Sequence, residues 1–409
     1  MPAESGQAES TATAIIGVIA ALMTIGVVTI ASASASLDDS LLSVSLWKST
    51  FGRQLLFAGL GFCAMLVFAR IGCPPQGGFA WSASGGLVLL AGVCLAVVLI
   101  PGVGIERNGA RRWLCIGPQE YGLAFQPSEL AKVALVVFLA AFLADRRARI
   151  KSAARTLLPA VIVIGVLSSL VGLEDFGTAA LLGIVGGAML LAAGCRWTHL
   201  ALAALPGLAT AGYLVCSEPY RWRRLTSFFD IWADPQGAGY HPIQSLATIA
   251  SGGWFGRGLG AGVQKYGYLP AGRTDFIFSV LCEEAGLLGG LTVILLFVAL
   301  LWLGLRTMRR AEGVRPRLLA FGITMLICLQ AAMNIAVVTV MAPTKGIALP
   351  FVSAGGSGVI ILGALVGLLA GVARATCFTP VGEPGSPRGE TRGSPAESYL
   401  CGLRRTSKV

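Results

Sequence analysis

Ten apolar runs, each about 20 residues long, decide what this chain can fold into: 13–35, 53–71, 83–101, 127–144, 156–173, 177–194, 197–215, 285–306, 318–342 and 355–374. A run of that length and character spans the hydrocarbon core of a bilayer as a helix. Backbone N–H and C=O groups find no water in lipid, so each segment must close its own hydrogen bonds or join a barrel. Only 12% of the 409 residues are charged, against roughly 25% in water-soluble proteins. The expected fold class is an all-α polytopic membrane protein with about ten transmembrane helices.

The fifth and sixth runs are separated only by Glu174, Asp175 and Phe176, which predicts a sharp turn at one membrane face. The first run ends in SASAS (32–36), which has the look of a cleavage site, but acidic Glu4 and Glu9 precede it and the apolar stretch is long. That predicts a retained helix. Residues 1–12 are read as a cytoplasmic N-terminus, 13–375 as the transmembrane domain, and 376–409 as a disordered cytoplasmic tail rich in Pro, Gly and Ser.

Lys and Arg set the orientation. The link after the fourth run carries Arg146, Arg147, Arg149, Lys151 and Arg155, and the link after the eighth carries Arg306, Arg309, Arg310, Arg315 and Arg317. With the basic tail, these fall on one side and predict that both termini are cytoplasmic. The net charge of +11 then reflects this bias and contact with anionic lipid, so it points to no nucleic-acid partner. The ten cysteines show no paired spacing and there are only two histidines, so a zinc site is not expected.

Two segments on the opposite face are too polar to be simple connectors. Residues 102–127 hold Arg107, Arg111 and Arg112 beside Trp113. They suit either an interfacial belt with snorkelling arginines or an anion site that uses the forked guanidinium. Residues 216–284 form a large extracytoplasmic loop between the seventh and eighth runs, rich in aromatics, with the Gly-rich stretch SGGWFGRGLGAG (251–262). Within the membrane, Glu129 and Lys132 lie three apart on one helical face and can pair. Asp175, Glu283 and Glu284 are further costly acids that call for a partner. Asp275 precedes an apolar run. By residue type, it or Thr274 suits the N-cap of a helix beginning at Phe276. Asp275 equally suits a general base at the membrane surface, and the residues alone leave both roles open.

Several motifs occur together in one order: NGARRW (108–113), FQPSELAK (125–132), DFGTA (175–179), RLTSFFDIWADPQGAGY (224–240), QSLATIASGG (244–253), GLGAGVQKYGYLP (258–270), TDFIF (274–278), EEAG (283–286), NIAV (334–337), and PTKG (343–346) with LPFVSAGGSG (349–358). With these, the chain resembles the SEDS family of bacterial membrane proteins (FtsW, RodA, SpoVE) over nearly its whole length. NGARRW and PTKG are more similar to the division-type FtsW and SpoVE branch. The resemblance implies a peptidoglycan glycosyltransferase that polymerises lipid II on the outer face of the bacterial cytoplasmic membrane, at the division septum. It implies a class B penicillin-binding protein transpeptidase and other divisome proteins as partners, and undecaprenyl-pyrophosphate-linked glycan as substrate and product.

The same resemblance makes Asp275 the essential acid and places Glu129 and Lys132 on a central cavity. Arg111, Arg112, Trp113, Asp175, Gln244, Ser245, Lys265, Arg273 and Thr274 are the further substrate-binding candidates. Among them Arg111, Arg112, Lys265 and Arg273 are candidate counter-charges for the departing pyrophosphate. A divalent cation (Mg or Mn) would share that task, although no acidic cluster specifies one. Ten helices with internal acids also suit a lipid-linked precursor flippase, and a divergent copy suits a non-catalytic division scaffold. The chain departs from the family pattern at Ala271 and Arg273, where relatives carry an acid and a histidine, and at His241 and Ala354.

Overall fold

The computed structural model describes residues 2–34, 49–72, 78–107, 110–115, 124–146, 153–217, 219–263, 269 and 271–375. Lys265 and the tail 376–409 lie outside them. The long helices are α1 (Pro2–Ser34), α2 (Thr50–Ile71), α3 (Gly78–Val98), α4 (Pro127–Asp145), α5 (Leu158–Gly172), α6 (Phe176–Ala192), α7 (Trp197–Ser217), α10 (Ile277–Arg310), α11 (Val314–Val338) and α12 (Ser357–Ala375). Between α7 and α10 lie the short helices α8 (Pro219–Phe229) and α9 (Tyr240–Gly252). The protein is a polytopic helical membrane protein. Among the described residues eight helices are long and apolar enough to cross a bilayer, and Ser82–Val98 and Phe176–Ala192 are shorter apolar helices.

Residues 104–125, read from the sequence only as a polar loop, contain a small antiparallel sheet of β1 (Gly104–Arg107), β2 (Ala110–Cys115) and β3 (Ala124–Phe125). Strands of two to six residues carry little periodic signal, which is why hydrophobic patterning missed them.

Helix α4 is the axis of the bundle, with Leu135, Leu139 and Leu143 fully buried at i, i+4, i+8. Helix α7 is its opposite. It exposes Trp197, Leu202, Leu205, Leu208 and Tyr213, an apolar surface suited to contact with lipid.

Lipid tails are as apolar as leucine, so helices in a bilayer associate mainly through close packing. Helix α12 meets α2 in this way through Gly363, Gly367 and Gly371. A Cβ on each would lie inside contact distance of the α2 chain, at the Gly61 carbonyl, the Met65 carbonyl and Gly72 Cα. Gly367→Leu is therefore expected to lower the midpoint of thermal unfolding in detergent by the equivalent of about 1–3 kcal/mol or more. Gly59→Leu, where nothing lies within 4 Å, is expected to leave it unchanged. Equal midpoints for the two variants would refute this packing.

Helix α10 is broken. Gly286 takes φ 71° and ψ −171° inside it, a left-handed-side conformation that glycine adopts without strain. The break frees backbone groups, and the Gly-rich loop fills them. Leu287 N donates to Gly253 O at 2.9 Å, Arg257 N to Glu283 O at 2.9 Å and Gly258 N to Glu284 O at 3.0 Å. These glycines let the loop backbone lie directly against α10: a Cβ on Gly256 would strike the Glu284 carbonyl. The eighth apolar run, placed at 285–306 from composition, is the second half of a helix that already begins at Ile277.

Candidate active site

Sheet, loop and helix ends converge at one end of the bundle. On β2 successive side chains point to opposite faces, so Arg112 parts from Arg111 and Trp113. Arg111 Nε lies 3.4 Å from Glu106 Oε2, and its backbone N–H donates to Glu174 Oε2 at 2.8 Å. Arg112 turns toward α6, where Nη2 donates to the Glu174 carbonyl and Nη1 lies 3.8 Å from Asp175 Oδ2.

Asp175 itself caps α6. Its Oδ1 accepts from Gly177 N at 2.9 Å and Thr178 N at 3.2 Å, and its Oδ2 accepts from Thr178 Oγ1 at 2.8 Å. The sequence reading put Asp175 among groups that touch substrate. In the fold its oxygens serve the helix terminus and the Arg112 guanidinium, because a buried N-terminus needs an acceptor for its open N–H groups.

Asp275 has the converse outcome. The residue at the N-cap of α10 is Phe276, and no side-chain hydrogen bond closes that end. Thr274 Oγ1 donates instead to the Ala271 carbonyl at 3.3 Å, so neither Thr274 nor Asp275 caps the helix. A Cβ built on Gly346 would sit 3.3 Å from both Asp275 Oδ2 and Arg112 Nη1, which brings carboxylate, guanidinium and loop to one point. Burial pushes the Asp275 carboxyl up to about 6, helped by the Asp175 carboxylate and opposed by Arg112 and Arg224.

Arg224 is the charge that the sequence reading missed. It lies on α8 and lines a shallow cleft with Ser227, Pro242 and Thr344. The available signal was the cationic face of PYRWRRLTSFF (219–229), which the aromatic residues around it obscured. Arg273, an expected counter-charge, donates from Nη2 to Ala33 O at the end of α1, 3.2 Å away.

Ser245 does not offer itself to a substrate. It is fully buried, donates to Val338 O at 2.6 Å and lies 2.8 Å from Ser279 Oγ, so it clamps α9 to α10 and α11. Gln244 beside it is half-buried on α9. Deeper in the bundle Lys132 Nζ donates to Glu129 Oε1 at 2.7 Å and to Gln330 Oε1 at 2.8 Å. The pair expected from helical spacing is formed, and Glu129 packs against Gly358 at the start of α12. Glu283 and Glu284 are both buried. They bind the Gly-rich loop, since Val263 N donates to Glu283 Oε1 at 2.9 Å, while Ser32 Oγ donates to Glu284 Oε1 and accepts from Gly260 N, each at 2.7 Å. Among the described residues no group of three or more His, Cys, Asp or Glu side chains comes together to hold a metal ion.

Residues 12–377 match the family described as cell cycle protein, which groups FtsW, RodA and SpoVE. The chain belongs to this family. It is 40% identical over 357 residues to stage V sporulation protein E of Bacillus subtilis, covering 86% of this chain and 94% of that protein. It is also 40% identical over 376 residues to the probable peptidoglycan glycosyltransferase FtsW of Nitrosococcus halophilus, covering 90% and 93%. Its fold is similar to a chain from a peptidoglycan synthase complex that coordinates polymerization and crosslinking, with TM-score 0.70, 25% identity and coverage of 88% and 97%. Rod shape determining protein RodA of Thermus thermophilus follows with TM-score 0.61, 26% identity and coverage of 90% and 97%.

The positions in this FtsW, RodA and SpoVE family member that the sequence reading marked as departures pack on the residues flanking Asp275. Ala271 turns the chain with φ 56°, and its carbonyl accepts from Thr274 N and Phe276 N. Ala354 N donates to Arg273 O at 3.0 Å. The His241 ring stacks on Phe276 at 5.9 Å, where burial and then Arg224 lower its pKa and favour the neutral imidazole.

Proposed function

We propose that this chain polymerises lipid II into glycan strands, with Asp275 as general base. The 4-hydroxyl of one sugar attacks the anomeric carbon of another, Asp275 takes the hydroxyl proton, and the bond to the pyrophosphate breaks with its electron pair leaving on the phosphate. The observation that carries this reading is the state of Asp275: a half-buried carboxylate, not spent on capping, beside Arg112 at the Gly346 loop. With its pKa raised to about 6, it is ionised at neutral pH yet more basic than a solvated carboxylate, as a base requires. Arg112 and Arg224 supply positive charge where the pyrophosphate departs. A divalent cation, where the reaction uses one, would add positive charge for the departing pyrophosphate, although no cluster of acidic side chains among the described residues marks a place for it. Relatives named peptidoglycan glycosyltransferase support the same chemistry.

The site would face outward, with both termini cytoplasmic, and the protein would work at the septum with a class B penicillin-binding protein and other divisome proteins. The test is purified full-length chain with that transpeptidase and labelled lipid II, read as strand length on a gel. A ladder of strands is expected. The break in α10 is the one observation that favours a flippase, since transporters use discontinuous helices. Lipid II crossing proteoliposomes with no strand formed would replace the polymerase by that reading. Neither activity, with the partner still bound, would leave a scaffold.

A further inference from the structure

Helix α11 carries two buried amides one turn apart, Gln330 and Asn334, and both reach the irregular segment 343–349 that precedes α12. Gln330 Nε2 donates to Ala348 O at 3.0 Å while its Oε1 receives Lys132. Asn334 spends its single NH2 group on two carbonyls, Ile347 O at 2.6 Å and Asp275 O at 2.8 Å. Its own Oδ1 is buried with no hydrogen-bond partner among the described residues. Two facing carbonyls dictate this orientation of the amide, because the reverse would set oxygen against oxygen.

An orphaned buried carbonyl is costly, and a leucine of similar volume would remove that cost. What leucine cannot do is bridge the turn that bears Asp275 to the loop that bears Gly346. That bridge fixes the spacing at which the Asp275 carboxylate and the Arg112 guanidinium both meet Gly346. Misplacing a reacting group by about 1 Å costs on the order of 10²-fold in rate.

We propose that Asn334 is a positioning residue for the base: its amide holds the Asp275 carbonyl and the Ile347 carbonyl in one register and so aims the carboxylate. This rests on the reading of Asp275 as the base. The charges around that carboxylate are Arg112 on β2, Asp175 at the α6 cap and Arg224 on α8, with Lys345 beside Gly346 and Arg273 two residues before it in the chain. None belongs to α11, so changing Asn334 alters placement and leaves the charge set intact.

The experiment uses full-length protein with its transpeptidase partner and lipid II, comparing wild type, Asn334→Leu, Asn334→Ser and Asp275→Asn over pH 5–9. Asn334→Leu is expected to lose about 10²-fold in kcat with KM within about threefold, the pattern of a lost transition-state interaction. Its acid limb should move to lower pH, because a loosened turn returns the carboxylate to water. Asn334→Ser, which keeps one O–H donor on a shorter, uncharged side chain, should fall between leucine and wild type. Wild-type kcat and an unmoved acid limb in folded Asn334→Leu would overturn the proposal. Where that variant does not fold, Asn334→Ser decides by the same two readouts. Full activity in Asp275→Asn would sink the base itself, a result distinct from wild-type activity in Asn334→Leu alongside an inactive Asp275→Asn, which overturns the positioning role alone.

Discussion

Asp275→Asn is expected to reduce strand synthesis by about 10²–10⁴-fold, the range that a positioned general base contributes, with the protein still folded. Asparagine keeps the shape of the side chain and its neighbours Gly346 and Arg112, but it cannot take the proton. In the wild type the rate should fall as pH drops through about 6, where Asp275 becomes protonated. Stability has the opposite slope. The folded carboxyl titrates near 6 against the ordinary 3.8, so between those values the folded state binds more protons and stability falls as pH rises. Asparagine removes that unfavourable buried charge, and its melting midpoint at pH 7 should equal or exceed that of wild type. A variant that melts lower and is inactive would show only damage. Wild-type turnover in a folded variant would remove Asp275 from the chemistry.

Lys132→Met should be the most damaging substitution for the bundle. Lys132 is 2% exposed and holds Glu129 at 2.7 Å, and Glu129 Oε2 already lacks a hydrogen-bond partner among the described residues. Removing the ammonium leaves a largely enclosed carboxylate without the cation that pairs with it, a loss of up to about 3–5 kcal/mol. It also frees Gln330, whose other end holds the 343–349 segment through Ala348. The double variant Glu129→Gln with Lys132→Met should recover much of that stability, because no charge then remains. Unfolding in detergent for the two single variants and the double gives the coupling directly. Additive losses would mean that the two side chains act independently, against the 2.7 Å geometry.

What could be read from the chain followed from local rules. The i, i+3 spacing of Glu129 and Lys132 foretold their pairing because both sit on one helix. The three residues between α5 and α6 foretold a turn, although not that Asp175 would cap it and steady Arg112. The apolar runs foretold the membrane, since nothing else can cover that much greasy surface. The sheet at 104–125 and the break at Gly286 were not legible, because each depends on partners far along the chain. Gly286 is held open by Gly253, Arg257 and Gly258, residues that composition marks only as loop.

The sequence by itself determined the solvent, the helices and the presence of an acid at the mouth of α10. Only the tertiary structure decided what that acid is free to do. Whether Asp275 caps a helix or faces Arg112 is set by the turn from Ala271, by Asn334 on α11 and by Gly346 in another loop. Residue 275 carries no record of these contacts, because Asn334, Gly346 and Arg112 are brought to it from three other segments by the packing of the bundle.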